Sequence, residues 1–217
     1  MKSTSLLIIL MMMFQGVSAQ PVIHEKIHRD EAFQAVKELK YNGALVVRLE
    51  TSHVKIKAFE NNLKNPKLKP AARKRIQSFL DDTRERNEII NRNLMNAFSD
   101  SFNFCPVYFC YDSSAGTLKN GARKNIFLNK ELAFDSSVEI PDAANIFVIY
   151  YHEKSGNYPT DGLMMRRLNK VLEEPFPAYT PVRESFVNEV NSPRIRRVVY
   201  GLDDRLRKLL ARAEKRG

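Results

Sequence analysis

The run NIFVIYY, residues 145–151, is the most apolar stretch of the chain beyond its first 19 residues, and it limits what the rest can build. Seven residues are too few to cross a bilayer as a helix, and β-branched and aromatic side chains suit a strand buried on most of its surface. ALVVRLE, 44–50, has the same character. Val107–Tyr111 and Asn125–Leu128 read as further strands, set apart by the turn-rich DSSAGTLKNG and SSVEIPDAAN. In LMMRRLNKVLEE, 163–174, the composition suits a helix. Asn169-Lys170 instead suits a hairpin turn, with the second arm running into Pro175-Phe176-Pro177, where the residue before each proline prefers an extended backbone.

Helical spacing marks three covering elements. Ala32, Phe33, Val36 and Leu39 recur as on one face of a helix over 29–40, with Asn42-Gly43 as a left-handed stop. Thr51 and Ser52 are placed to cap a helix from about His53, and Pro66 and Pro70 break it into a basic loop at 64–70. Over 71–100, Ile76, Leu80, Thr83, Asn87, Ile90, Leu94 and Ala97 alternate spacings of four and three, a seam with a polar middle that suits docking on a sheet. Leu202, Leu206, Leu209 and Leu210 mark a last helix over 202–215 with Asp203 and Asp204 in its first turn. The expected fold is one α/β domain. Its mixed sheet of about five strands uses 44–50, 106–112, 125–129, 145–151 and a hairpin at 163–176, covered by helices that include one long basic helix.

Residues 1–19 have the form of a secretory signal: Lys2, an apolar core from Leu6 to Phe14, and Val17-Ser18-Ala19 before Gln20. The expected mature chain is 20–217, exported to a periplasm or secreted, with no further window apolar enough to span a membrane. Loss of Lys2 takes the formal charge from +10 to +9, and two segments account for more than all of it. Lys64, Lys67, Lys69, Arg73, Lys74 and Arg75 stand in 64–75 without an acid. Residues 194–217 hold nine basic residues, Arg194, Arg196 and Arg197 first, against three acids. These nine named cations are the candidate anion-binding residues. Clustered positive charge concentrates anionic partners, which for an exported chain means anionic envelope components or acidic glycans; no specific nucleic-acid interface is expected.

FNFCPVYFCYD, 102–112, holds both cysteines. In an uninterrupted strand, Cys105 and Cys110 would sit on opposite faces with about 16 Å between their α-carbons, whereas a disulfide needs roughly 4.4 to 6.8 Å. Three readings stand: two buried thiols, a disulfide through a sharp bend, or a reactive thiol at Cys105 with His152 as its base. Two cysteines and four scattered histidines, His24, His28, His53 and His152, make no metal site, and no cofactor is expected. His152-Glu153, Gly156 and Asp161-Gly162 follow the NIFVIYY strand, where α/β folds place sites. Tyr108, Phe109, Tyr111, Tyr150 and Tyr151 are either core or a stacking platform. No glycine-rich phosphate loop, GxSxG elbow, HExxH helix or EF-hand loop is present.

The leader, the long charged helix running into FNFCPVYF, the NIFVIYY strand and PFPAYTPVRESF at 175–186 together resemble a family of uncharacterised exported bacterial proteins. In these an aromatic-Cys-Pro-Val-Tyr-Phe strand precedes a Pro-Phe-Pro-aromatic segment. The resemblance covers most of 44–186, implies a hairpin ahead of Pro175, and brings no assigned activity or functional residue; the position of Cys110 is usually aromatic in that family. The expected function is a non-catalytic binding or envelope-associated accessory protein. The competing expectation is a thiol-dependent enzyme or redox protein using Cys105.

Overall fold

The computed structural model describes residues 19–154, 160–183, 189 and 192–216. The expected leader up to residue 18 and Gly156 lie outside them. Helix α1 (Ala19–Asn42) leads into β1 (Gly43–Leu49), followed by α2 (His53–Leu63) and α3 (Pro70–Ser101). Then come β2 (Val107–Tyr111), the short α4 (Ala115–Lys119), β3 (Asn145–His152), β4 (Gly162–Arg167), β5 (Tyr179–Pro181) and α5 (Pro193–Glu214). The five strands form one mixed sheet in the order β2-β1-β3-β4-β5. The first three are parallel, and β4 is antiparallel to both its neighbours. This is the α/β fold with a helix-covered sheet that the apolar runs predict.

The two-residue period of the strands sorts their side chains into two cores. Leu45, Val47 and Leu49 of β1, with Phe147, Ile149 and Tyr151 of β3, face α1, α3 and α5. Ala44, Val46, Ile146 and Val148 face the other way, onto Leu118, Ile126, Phe127 and Ile140 of the segment between β2 and β3. The seam of α3 divides along its length. Ile90, Leu94 and Ala97 are buried in the helical core, while Leu80 and Thr83 lie towards α2, which buries no residue of its own and packs on α3 through Phe59 stacked on Phe79 at 6.3 Å. Helix α2 and the first half of α3 thus make a helical arm, with the 64–69 loop at its tip.

Several expected boundaries move, each for a local reason. Residues 125–129 are not a strand of the sheet. Asn125 is left-handed (φ 61), and the segment only bridges the edge strand, with Phe127 opposite Cys110 and the Leu128 amide on the Phe109 carbonyl (2.9 Å). It thereby covers an edge that would otherwise be open. The hairpin turn after β4 is present, with Arg167 bridged to Lys170, but its second strand is β5, not 171–176. Pro175 and Pro177 have no amide donor, so pairing with β4 resumes only at Ala178, whose carbonyl accepts from Met165 (2.7 Å). Helix α1 begins ten residues earlier than the apolar spacing marks, and α5 begins at Pro193. Arg194, Arg196 and Arg197 therefore lie within its first five residues, and Asp203 lies mid-helix. Asp203 is 5% exposed and accepts from the Asn103 amide (2.7 Å) and the Arg207 guanidinium (2.5 Å). Ser52 does precede α2, but it is left-handed (φ 49) and makes no cap bond; its hydroxyl donates to the Glu50 carboxylate instead (3.0 Å).

Gly43 ends α1 for a reason other than a left-handed turn, since its φ is not positive. A Cβ there would stand 2.5 Å from the Leu39 Cα and 2.6 Å from the Leu39 carbonyl oxygen, both backbone atoms that cannot swing aside. Gly43→Ala is expected to lose about 3 kcal/mol of stability, an overpacking cost. Urea unfolding measures it, and a loss below about 0.5 kcal/mol would show that the α1–β1 junction relaxes freely.

Candidate functional site

The two thiols are free and separated by the sheet: Cys105 packs against the helical core, and Cys110 is fully buried in the second core. Burial pushes both thiols from the ordinary 9.0 up to about 12. At Cys105 the Leu45 backbone and the Lys40 ammonium pull the other way but are outweighed. Lys40 donates to the Phe104 carbonyl at 2.9 Å and lies over the Phe104 ring at 5.4 Å. The strand register keeps Cys105 from His152. Val107 and Phe147 are both level with Leu45, so the cysteine two residues before one and the histidine five residues after the other are about 23 Å apart along the strands.

The aromatic residues do not form one platform. Tyr150 and Tyr108 are on the second face, with Tyr108 against Phe127 at 5.6 Å. Phe109, Tyr111 and Tyr151 are on the helical face. Of the histidines, His28 pairs with Glu173 at 3.2 Å, and among the described residues no group of three or more His, Cys, Asp or Glu is placed to hold a metal ion. No helix of the described residues is long and apolar enough to cross a membrane.

The nine candidate cations fall at two places. Lys64, Lys67, Lys69, Arg73, Lys74 and Arg75 are all exposed at the tip of the arm. Arg73 closes the tip, its guanidinium donating to the Leu63 (2.5 Å) and Asn65 (2.9 Å) carbonyls at the end of α2, and Arg75 lies over the Phe79 ring at 5.3 Å. Arg194, Arg196 and Arg197 are exposed at the other end of α3, where Arg196 reaches Asp100 at 3.4 Å. At 1.5 Å per residue the two groups are about 40 Å apart along α3, so they do not make one surface.

The concave basic surface lies elsewhere, along the second half of α5. A groove of about 910 Å³ runs between that helix and the segment 171–179, and a second hollow of about 300 Å³ continues it, sharing Pro175, Leu209 and Arg212. Six cations line the pair, namely Arg29, Arg205, Lys208, Arg212, Lys215 and Arg216, against the two carboxylates Glu173 and Glu174. Spacings of three, four and three from Arg205 to Lys215 put four of these cations along one side of α5, while Leu202, Leu206 and Leu209 enter the core. Arg205 is anchored to the Thr180 hydroxyl, and burial lowers its pKa. Arg216 lies over Phe33 at 5.6 Å, and Lys208 is paired with Asp204 at 2.6 Å. Arg212 has no carboxylate within ion-pair distance among the described residues. Pro175, Pro177 and Leu209 give the groove an apolar floor. Counting charge along the chain finds this segment; only its helical phase picks out these residues over Arg194, Arg196 and Arg197.

No family model, curated protein or solved structure matches the chain.

Proposed function

We propose that this is an exported, non-catalytic binding protein that holds an acidic glycan in the α5 groove. The observation that carries the reading is the stripe of cations on one wall of a long concavity with an apolar floor. A linear polyanion matches that shape and sign, because its charges repeat along the groove while the ring faces of its sugars lie on proline and leucine. A flat lipid surface fits the convex arm tip better than a groove. The secretory form of residues 1–19 supports export, and in that setting acidic glycans are an abundant linear polyanion. The thiol reading has less support, since the register keeps Cys105 about 23 Å from His152 along the strands, Asp203 and Asp112 raise the pKa of the thiols they face, and burial holds both as neutral thiols.

Titration of the mature chain with a heparin oligosaccharide and with polygalacturonate, followed by calorimetry at several salt concentrations, tests the reading. Binding is expected at low salt and falls by about tenfold or more as the Debye length shrinks from roughly 30 Å to 10 Å. Absence of binding to both polymers at low salt would refute it.

A further inference from the structure

A separate hollow, of about 400 Å³, opens at the carboxyl ends of β1, β2 and β3 and shares no lining residue with the α5 groove or its continuation. The chain leaves β1 for β2 by way of α3 on the helical face, then returns past β1 to β3 through the 112–144 segment on the second face. The β1/β3 boundary is therefore where successive connections part to opposite sides, which leaves a crevice at the strand ends.

Arg48 breaks the apolar pattern of β1 at this boundary. It follows Ala44 and Val46 on the second face and is level with Cys110 on one side and Tyr150 on the other. Its guanidinium lies 4.0 Å from the Tyr150 ring centre, and the Arg166 guanidinium lies 5.8 Å from the same ring. Neither arginine is paired with a carboxylate among the described residues, and the Arg166 Nε is buried without a hydrogen-bond partner. The acids of the cleft are each engaged already. Asp112 accepts from the Thr51 amide (3.1 Å) and hydroxyl and from the Ser113 amide (2.8 Å). Glu50 accepts from Ser52 (3.0 Å), and Glu153 pairs with Arg86 (2.6 Å). The uncommitted charge is positive.

A half-buried cation on a central strand is costly without a counter-charge, and a contact with an aromatic face recovers only part of that cost. A guanidinium lying over a ring face keeps N–H donors free to turn outward, and its fork can take an oxyanion through two parallel hydrogen bonds. We infer that this cleft binds a small organic anion, its carboxylate or phosphoryl group held by Arg48 with Tyr150 as the stacking face. Arg166 adds positive charge against the same ring and acts as a positioning residue.

The test is an NMR titration of the wild-type Arg48 Nε–Hε resonance with inorganic phosphate and, separately, with citrate, at about 20 mM ionic strength. At least one probe is expected to shift it saturably with Kd below about 1 mM; phosphate or citrate alone assigns the group as phosphoryl or carboxylate. Arg48→Gln is expected to weaken that probe at least about tenfold, and Arg48→Lys, which keeps charge but loses the fork, by several-fold. Arg212→Glu with Lys215→Glu should leave it unchanged. Absence of a saturable shift with either probe overturns the inference, and this reading needs no variant to fold. Wild-type affinity in Arg48→Gln overturns it too, as does loss of small-anion binding in the α5 variant. If the oxyanion belonged to the glycan, Arg48→Gln would weaken heparin binding equally; unchanged heparin affinity is expected.

Discussion

At about pH 8, iodoacetamide is expected to label Cys105 and Cys110 of the folded protein at least about a thousandfold more slowly than the chain in denaturant. The thiolate is the reacting species, and a rise from 9.0 to about 12 removes three decades of it before access is considered. Burial is the main cause at both sites. At Cys110 the Arg48 charge opposes it and Asp112 adds to it, while at Cys105 the Leu45 backbone and Lys40 oppose it and Asp203 adds to it. The same shifts fix a pH dependence. Each thiol has a higher pKa folded than unfolded, so the fold favours the neutral form; its contribution is complete below about pH 9 and is lost as pH rises through about 12. Alkylation followed by mass spectrometry, with and without denaturant, reads the labelling directly. Rapid labelling of Cys105 in the folded chain would return thiol chemistry to the front.

The sheet was legible wherever a strand is buried on both sides. Gly43–Leu49 and Asn145–His152 lie within about two residues of the expected runs because their apolar side chains fill two cores at once. The misread elements depend on partners that a local pattern does not contain. Residues 125–129 have strand composition, yet the left-handed Asn125 turns them across the sheet edge, and β5 is only three residues long. The early part of α1 has no clear apolar stripe, so spacing alone starts it late; in α5 the buried stripe already runs from Ile195 through Val199 to Leu202, so a start read from the leucines passes over its first turns. At the candidate surfaces, charge density marks two basic segments, and of these the second half of α5 lines a groove. The six basic residues of 64–75 crown an exposed arm, whereas the cations of the second half of α5 face the Pro175–Pro177 segment across a groove. Arg48 was hidden inside ALVVRLE, where one polar residue in an apolar strand is a weak mark until the register sets it beside Tyr150.

Reversing two charges in the groove, Arg212→Glu with Lys215→Glu, is expected to weaken heparin binding by about a hundredfold at low salt, roughly tenfold for each cation turned to an anion. Both side chains are exposed, and neither has an ion-pair partner among the described residues, so the thermal midpoint should move by less than about 4 °C. The matching reversal on the arm, Lys67, Lys69, Arg73 and Arg75 to Glu, changes more charge but lies at the far end of α3. It is expected to lower affinity by no more than about threefold through long-range attraction, an effect that about 0.15 M salt removes. Arg205→Gln is a poorer probe because its guanidinium also holds Thr180 of β5.

The central claim is that the polyanion lies in the α5 groove, and amide chemical-shift mapping of the wild-type chain with a heparin oligosaccharide tests it most directly. Saturable shifts should cluster in 171–179 and 205–216 and spread to Arg29 and Phe33, the residues that line the two joined hollows. Shifts confined to 64–75, with the groove silent, would contradict the account and move the binding surface to the tip of the arm.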